Sequence, residues 1–203
     1  MNGRPPARVP VGLRCGAASD APHVARLHAD RIGEGFLATL GVRFLTRLYR
    51  RIASSRHAFV VVADREGQVV GFVAVATTTG GLYREFLVRD GVAAAVAALP
   101  ALARAPRRVW ETLRYGTGPR AGDLPDAEIL ALAVDPRAAG AGIGRRLAEA
   151  ALRELGRRGV RSARVVTAVG NTAALATYRA AGFRPHGRTE VHRGTPQEVL
   201  VWP

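Results

Sequence analysis

The residues best placed to do chemistry lie in one stretch: Glu128-Ile-Leu-Ala-Leu-Ala-Val134, then Asp135-Pro-Arg-Ala-Ala-Gly-Ala-Gly-Ile-Gly144, then Arg145-Arg-Leu147. An apolar run ends in a glycine-rich turn that opens into helical periodicity. Gly140, Gly142 and Gly144 let successive backbone N–H groups approach an anion closely, and the start of a helix adds partial positive charge. A diphosphate is the guest such a turn suits. A plain tight turn needs glycine only for positive φ, and glycines at three alternate positions exceed that need. Gly140-Ala141-Gly142 also begins like a dinucleotide fingerprint, but the third glycine falls at Gly144, where that pattern wants it at position 145, which is Arg.

Several other chemistries are excluded by residue type. All 30 basic residues are arginine. Without lysine there is no Walker loop, no pyridoxal Schiff base and no kinase strand lysine. His23, His28, His57, His186 and His192 form no His-Glu-x-x-His pair, and Cys15 is the only cysteine, so no metal site is expected. No Gly-x-Ser-x-Gly elbow occurs.

The elements that must position the turn follow from periodicity. Residues 1–11 read as a disordered tail and 12–203 as one domain, with a helical insertion at about 82–116. Gly12 to Ala17 reads as a strand; Ser19 or Asp20, with Pro22 behind it, caps a helix to about Ala29. Phe36 to Ile52 reads as an amphipathic helix broken at Gly41. Ala58–Ala63 and Val69–Ala76 read as a hairpin. Thr77–Gly81 reads as a loop, followed by short helices at Leu82–Val88, Val92–Ala103 and Arg107–Tyr115, separated by Gly and Pro. Then come a strand Glu128–Val134, the glycine turn, a helix from Arg145 to about Arg158, a strand Val160–Val169, a helix from Asn171 to Ala181 with Gly182 as its stop, and two strands, about Arg184–Arg193 and Glu198–Trp202.

With 203 residues, 48% hydrophobic and 23% charged, the chain has the composition of one soluble globular domain. The uncharged run Gly91 to Ala103 is interrupted by Pro100 and falls short of a membrane span, and the N-terminus does not read as a secretory signal. A cytoplasmic location is expected, with no stable membrane insertion. The formal charge of +14 suits a polyanionic partner, yet it is scattered in pairs such as Arg107-Arg108 and Arg157-Arg158, without aromatic interleaving; no nucleic-acid partner is expected.

Together, Val134-Asp135-Pro136 followed by Ala139-x-x-Gly142-x-Gly144, and downstream Asn171-x-x-Ala174-x-x-x-Tyr178-x-x-x-Gly182-Phe183, resemble the two motifs of the GNAT (GCN5-related N-acetyltransferase) superfamily. The resemblance covers mainly residues 127–202. It implies an α/β (α+β type) fold with a mixed, mostly antiparallel sheet of about seven strands, splayed beside the glycine turn, and acetyl-CoA as acyl donor with no metal. It implies cofactor contacts from Leu132, Ala133, Val134, Ala139, Gly140, Ala141, Gly142, Ile143, Gly144, Arg145, Asn171, Ala174 and Tyr178. Ala139 departs from the family, which usually has Arg or Gln there, so one side-chain contact to phosphate is lost; Arg137 or Arg145 would compensate. By the same resemblance Glu128 is the base that deprotonates the acceptor amine, Tyr178 protonates the departing thiolate, and the Val134 N–H polarises the thioester carbonyl. On their residue types alone, Glu128 is also a solvated strand-end carboxylate, Asn171 an N-cap and Tyr178 a core aromatic.

The acceptor pocket implied by the resemblance involves the loop Asp30 to Gly35, where Asp30, Arg31 and Glu34 recognise an amine or simply meet solvent. The insertion brings Tyr83, Phe86, Trp110 and Tyr115 with Arg84, Arg107, Arg108 and Arg114, as a lid or as scaffolding. The expected activity is acetyl transfer to a primary amine of a small molecule. The alternatives are a protein or peptide N-acetyltransferase, a non-catalytic CoA-binding or interaction module, and a membrane-surface protein using the basic, apolar insertion. A homodimer is compatible with the family.

Overall fold

The computed structural model describes residues 10–32, 37, 40–104, 124–192 and 195–203. The elements run β1 (Gly12–Cys15), α1 (Ala21–Arg31), α2 (Gly41–Ser54), β2 (Ala58–Arg65), β3 (Gln68–Ala76), α3 (Thr79–Arg104), β4 (Glu128–Val134), α4 (Ile143–Arg157), β5 (Ala163–Ala168), α5 (Thr172–Ala180), β6 (Arg184–His192) and β7 (Thr195–Trp202). They form one seven-stranded sheet in the order β1-β2-β3-β4-β5-β7-β6. Every pairing is antiparallel except β4 with β5, which is parallel and holds only two rungs, Glu128↔Arg164 and Ile129↔Val165. The sheet therefore splays beyond Ile129, as expected.

Alternation along β2 and β3 buries both faces of the sheet, so each face carries its own core. One packs Ile143, Leu147, Ala151 and Leu155 of α4, with Leu175 and Tyr178 of α5, on Val61, Val73 and Val165. The other packs Val24 of α1 and Leu45, Tyr49 and Ile52 of α2 on Val62, Phe72 and Ala74. The β2–β3 hairpin closes on Glu66 (φ 52) and Gly67 (φ 81), the left-handed pair that a two-residue turn needs to match strand twist. Asp64 Oδ1 accepts the Gly67 N–H at 2.8 Å. At Gly71 an added Cβ would meet Leu147 Cδ1 at 3.2 Å and the Ala133 carbonyl oxygen at 3.3 Å, so the missing side chain lets α4 lie against β3 and β4.

Three expectations need correcting. The insertion does not break into short helices: α3 runs unbroken from Thr79 to Arg104, through Gly91 and Pro100, and takes in part of the expected Thr77–Gly81 loop. Leu82, Phe86, Ala94 and Ala98, spaced in multiples of four, are buried. Phe86 meets Phe44 of α2 edge to face, and Arg51 of α2 binds Asp90 at 2.6 Å and Glu85 at 3.5 Å. This anchoring outweighs the helix penalties of about 1 kcal/mol for glycine and 3 kcal/mol for proline. The expected third helix, Arg107–Tyr115, lies outside the described residues. Asp20 precedes α1 but makes no capping bond to it; its carboxylate takes the Ala17 N–H and two Arg14 donors, tying the end of β1 to the turn. β7 begins at Thr195, three residues before the expected start at Glu198.

On the inner side of α1, His28 is 4% exposed, and its Nδ1 lies 2.6 Å from the Tyr49 hydroxyl, with the imidazole stacked on Phe72. Burial pushes the His28 pKa down from 6.5 to about 4. A neutral histidine that must take up a proton on unfolding makes stability rise with pH across that interval. Stability is therefore expected to be complete above about pH 6.5 and to fall by roughly 3 kcal/mol as pH drops towards 4. Urea denaturation of wild type and His28→Leu at several pH values checks this: the variant should lose most of the dependence in that window.

Candidate active site

The glycine turn is built step by step from β4. Asp135 hands its N–H to the Val70 carbonyl at 2.8 Å, and its side chain accepts from the Arg137 N–H at 2.8 Å. Pro136–Ala138 make one tight helical turn closed by Ala139 N–H to the Pro136 carbonyl. The chain then passes through Gly140 (φ 78) and Gly142 (φ 67), both left-handed, and enters α4. The next backbone donor engaged by protein is Arg146, on the Gly142 carbonyl. Among the described residues, the consecutive N–H groups from Gly140 to Arg145 thus have no protein acceptor, and no atom beyond the adjoining residues lies within 4 Å of where a Cβ would stand at Gly140 or Gly142. This is an open cradle of donors at a helix N-terminus, the geometry that suits a phosphate group.

The fork in the sheet supplies a second set of open donors. Asp135 donates to Val70 in the antiparallel ladder with β3, which makes Leu132 and Val134 the positions whose backbone groups point the other way, towards β5. There β5 has already diverged. A register shift lies between Ala74 and Val75: Val75 faces Ile129 while Ala74 faces Ala131, leaving Leu130 as the extra residue of a bulge in β4. Its effect is visible in packing, since Leu130 and Ala131, adjacent in sequence, both join the core under α1 and α2.

Gly144 shows how closely the three expected segments converge. A Cβ there would stand 3.5 Å from Thr177 Cγ2 of α5 and 3.7 Å from Leu132 Cδ2 of β4. Beside Thr177, Tyr178 is buried against Phe183, and burial pushes its hydroxyl pKa well above the usual value. The hydroxyl is therefore a protonated donor at neutral pH. Asn171 caps α5, its Oδ1 accepting the Ala174 N–H at 3.1 Å.

Glu128 stands at the apex of the fork. Arg164, its rung partner, donates from Nη2 at 2.7 Å and from Nε at 3.0 Å, both to Oε2, while Nη1 holds the Pro125 carbonyl at 2.9 Å. Both side chains are about four-fifths buried, at 22% and 18% exposure, so the pair is held more firmly than a surface bridge. Oε1 accepts nothing among the described residues. Tyr83, from the second turn of α3, feels both charges although it is 41% exposed: partial desolvation raises its pKa most, the Glu128 carboxylate adds to that and Arg164 opposes it. Thr79, at the head of α3, is bonded to Asp126 at 2.8 Å and fixes the helix beside the apex.

Arg164 was not among the residues singled out from sequence. Its signal is the pairing register, which places it opposite Glu128, and register across a parallel pair joined through a distant crossover is not written in local pattern. The acceptor residues expected on the α1 loop are less concentrated: Asp30 and Arg31 are exposed at the end of α1, and Glu34 lies outside the described residues. Of the arginines expected to stand in for the missing side chain at Ala139, Arg145 is bonded to Glu149 at 2.7 Å, and the Arg137 side chain is 92% exposed. Among the described residues no cluster of His, Cys, Asp or Glu could hold a metal ion.

The family model of the acetyltransferase (GNAT) family matches residues 29–183. Over 85 residues the chain is 39% identical to a mycothiol acetyltransferase of Amycolatopsis mediterranei (strain U-32), a match that covers 42% of this chain and 28% of that protein. Among solved structures, the ribosomal-protein-S18-alanine N-acetyltransferase of Escherichia coli superposes with a TM-score of 0.59 at 15% identity, over 96% of this chain and 94% of that one. An AAC(6')-Ib structure containing acetyl-CoA superposes with a TM-score of 0.62 at 15% identity, over 95% and 92%. At such identities these likenesses establish the shared fold.

Proposed function

The chain belongs to the GNAT acetyltransferase family, and from that premise we propose that it moves an acetyl group directly from acetyl-CoA to a primary amine of a small-molecule acceptor. The observation that carries this reading is the pair of open donor sets at the end of β4, the Leu132 and Val134 N–H groups at the fork and the Gly140–Arg145 cradle beyond the turn. A diphosphate would sit on the cradle, and a pantetheine arm would run along the open edge of β4 with its amides bonded to the strand. The N–H count makes up for Ala139, because backbone donors need no side chain at that position.

In this reading the thioester lies near the apex. At about 3.3 Å per residue, Leu132 is roughly 13 Å along the strand from Glu128 and Val134 roughly 20 Å. The Leu132 N–H, the nearer of the two, is therefore the better donor to the carbonyl oxygen as charge develops there; Val134 holds the arm further out. This reading puts the carbonyl contact two residues from Val134, the donor that the resemblance implies. Glu128 Oε1 takes the proton of the acceptor ammonium, directly or through water, because only the free amine attacks. The amine nitrogen bonds to the carbonyl carbon, the carbon–sulfur bond breaks, and the thiolate takes a proton from the Tyr178 hydroxyl. Asn171 keeps its amide NH2 for the arm while its oxygen caps α5.

Tyr83 is near enough to Glu128 for the carboxylate to act on its hydroxyl, and in this reading it narrows the approach from the α3 side and favours a small acceptor. The test is thioester consumption with a panel of small amines, amino sugars and short peptides. Turnover confined to small amines is the expected result; turnover confined to peptide N-termini makes this a protein acetyltransferase. Tight acetyl-CoA binding without turnover across a broad panel favours the non-catalytic binding module.

A further inference from the structure

Of the seven large apolar side chains that stand exposed among the described residues, six belong to α3. Val88, Val92, Val96 and Leu99 are 79%, 84%, 61% and 58% exposed. Steps of four, four and three residues put them on one side of the helix, in a stripe about 17 Å long. Leu87, on another side of the helix, is 68% exposed as well. The opposite side of α3 is apolar too: Leu82, Phe86 and Ala94 join the core shared with α1 and α2, and Ala98 is buried. A helix apolar on both sides is at home only where both are covered.

Charge is sorted across the same helix. Glu85 and Asp90 turn towards α2 and are bound by Arg51, with Ser55 also donating to Glu85 at 2.6 Å. Arg84 and Arg89 face outward, Arg89 with 65% of its side chain exposed. The outer face thus combines aliphatic side chains with cations, on a chain of formal charge +14. Two copies of so cationic a chain would repel when these faces met, whereas an anionic bilayer answers both features: acyl chains take the valines and leucines, and headgroups take the guanidiniums. No described helix is long and apolar enough to cross a membrane.

We propose that α3 docks this protein on an anionic lipid surface, lying in the boundary between headgroups and acyl chains with the Val88–Val92–Val96–Leu99 stripe inward. The inference goes beyond the acetyltransferase reading and does not depend on which amine is acetylated.

Co-sedimentation of the full chain with phosphatidylcholine vesicles, with and without about 30% phosphatidylglycerol, tests it at about 50 and 500 mM salt. Expected is at least about tenfold stronger binding to the anionic vesicles, weakened at high salt. Binding should fall at least about tenfold in Val88→Asp/Val96→Asp, and likewise in Arg84→Gln/Arg89→Gln. Unchanged melting temperature and unchanged CoA affinity in these variants show that fold and site are intact. Absence of anionic-vesicle binding by the wild type overturns the proposal. So does full retention of binding by the aspartate variant, which would place attachment on other arginines. A wild-type oligomer that the aspartates dissociate would mean that a second copy covers the stripe, and a large fall in melting temperature would mean that the chain itself does; either result overturns docking as well.

Discussion

A Gly142→Glu variant is expected to lose saturable binding of acetyl-CoA and CoA in calorimetric titration, its dissociation constant rising at least about 100-fold. Two effects combine. Gly142 sits at φ 67, where a residue with a Cβ is strained by about 1–2 kcal/mol. The new carboxylate would also stand among the free N–H groups of residues 140–145, satisfying them from within and repelling the diphosphate. The fold should survive, because no atom beyond the adjoining residues lies within 4 Å of the added Cβ, and the melting temperature should fall by only about 2–6 °C. Gly144→Ala is the matched control: its Cβ meets Thr177 and Leu132 at ordinary contact distances, its N–H is kept, and binding should stay within about threefold of wild type. Equal affinity in wild type and Gly142→Glu would remove the cradle from the proposed mechanism.

Glu128→Gln should lower kcat for the acceptor found in the amine panel by about 10²–10³, with KM for acetyl-CoA within about twofold of wild type. Glutamine keeps an oxygen for Arg164, so the rung between β4 and β5 should persist, and the loss of a partly buried charged pair should cost about 1 kcal/mol. The residual rate of the variant should climb with pH as the acceptor loses its own proton in solution, while the wild-type profile stays flatter near neutrality. If kcat is unchanged and only the melting temperature drops, Glu128 serves to clamp the fork and the proton leaves the amine by another route.

Much of this architecture could be read from local pattern. β4 was bounded correctly because seven residues without a helix-type period run straight into Asp135-Pro136, and Asn171 and Gly182 marked α5 by capping chemistry that acts over three or four residues. The bulge at Leu130, by contrast, is a mismatch between two strands and has no signature in either. The Glu128–Arg164 pair is hidden for the same reason. Helix α3 was divided into pieces because Gly91 and Pro100 are breakers by intrinsic propensity, and the forces that override them, Arg51 with Asp90 and Phe44 with Phe86, come from another helix. Glu128, Leu132, Val134 and the glycines were legible as a set because they occupy one short stretch. The proposed acceptor side was not, because it would draw on α1, α3 and the fork, which lie far apart in the chain.

Sheet edges that expose unpaired backbone invite other polypeptides, and proteins usually blunt them at their periphery. Here two such edges face each other in the interior of the sheet, joined at one end by two rungs and open at the other. A polypeptide would have to thread between strands already committed to β3 and β7, whereas a slender arm carrying its own amides can enter from the open end and bond as a strand would. Acetyl-CoA, on this view, is the sheet's missing eighth member. Its binding should zip the two halves together, so that amide exchange slows in β5 and in the latter part of β4 together, and heat resistance should increase with the logarithm of ligand concentration once the site is saturated.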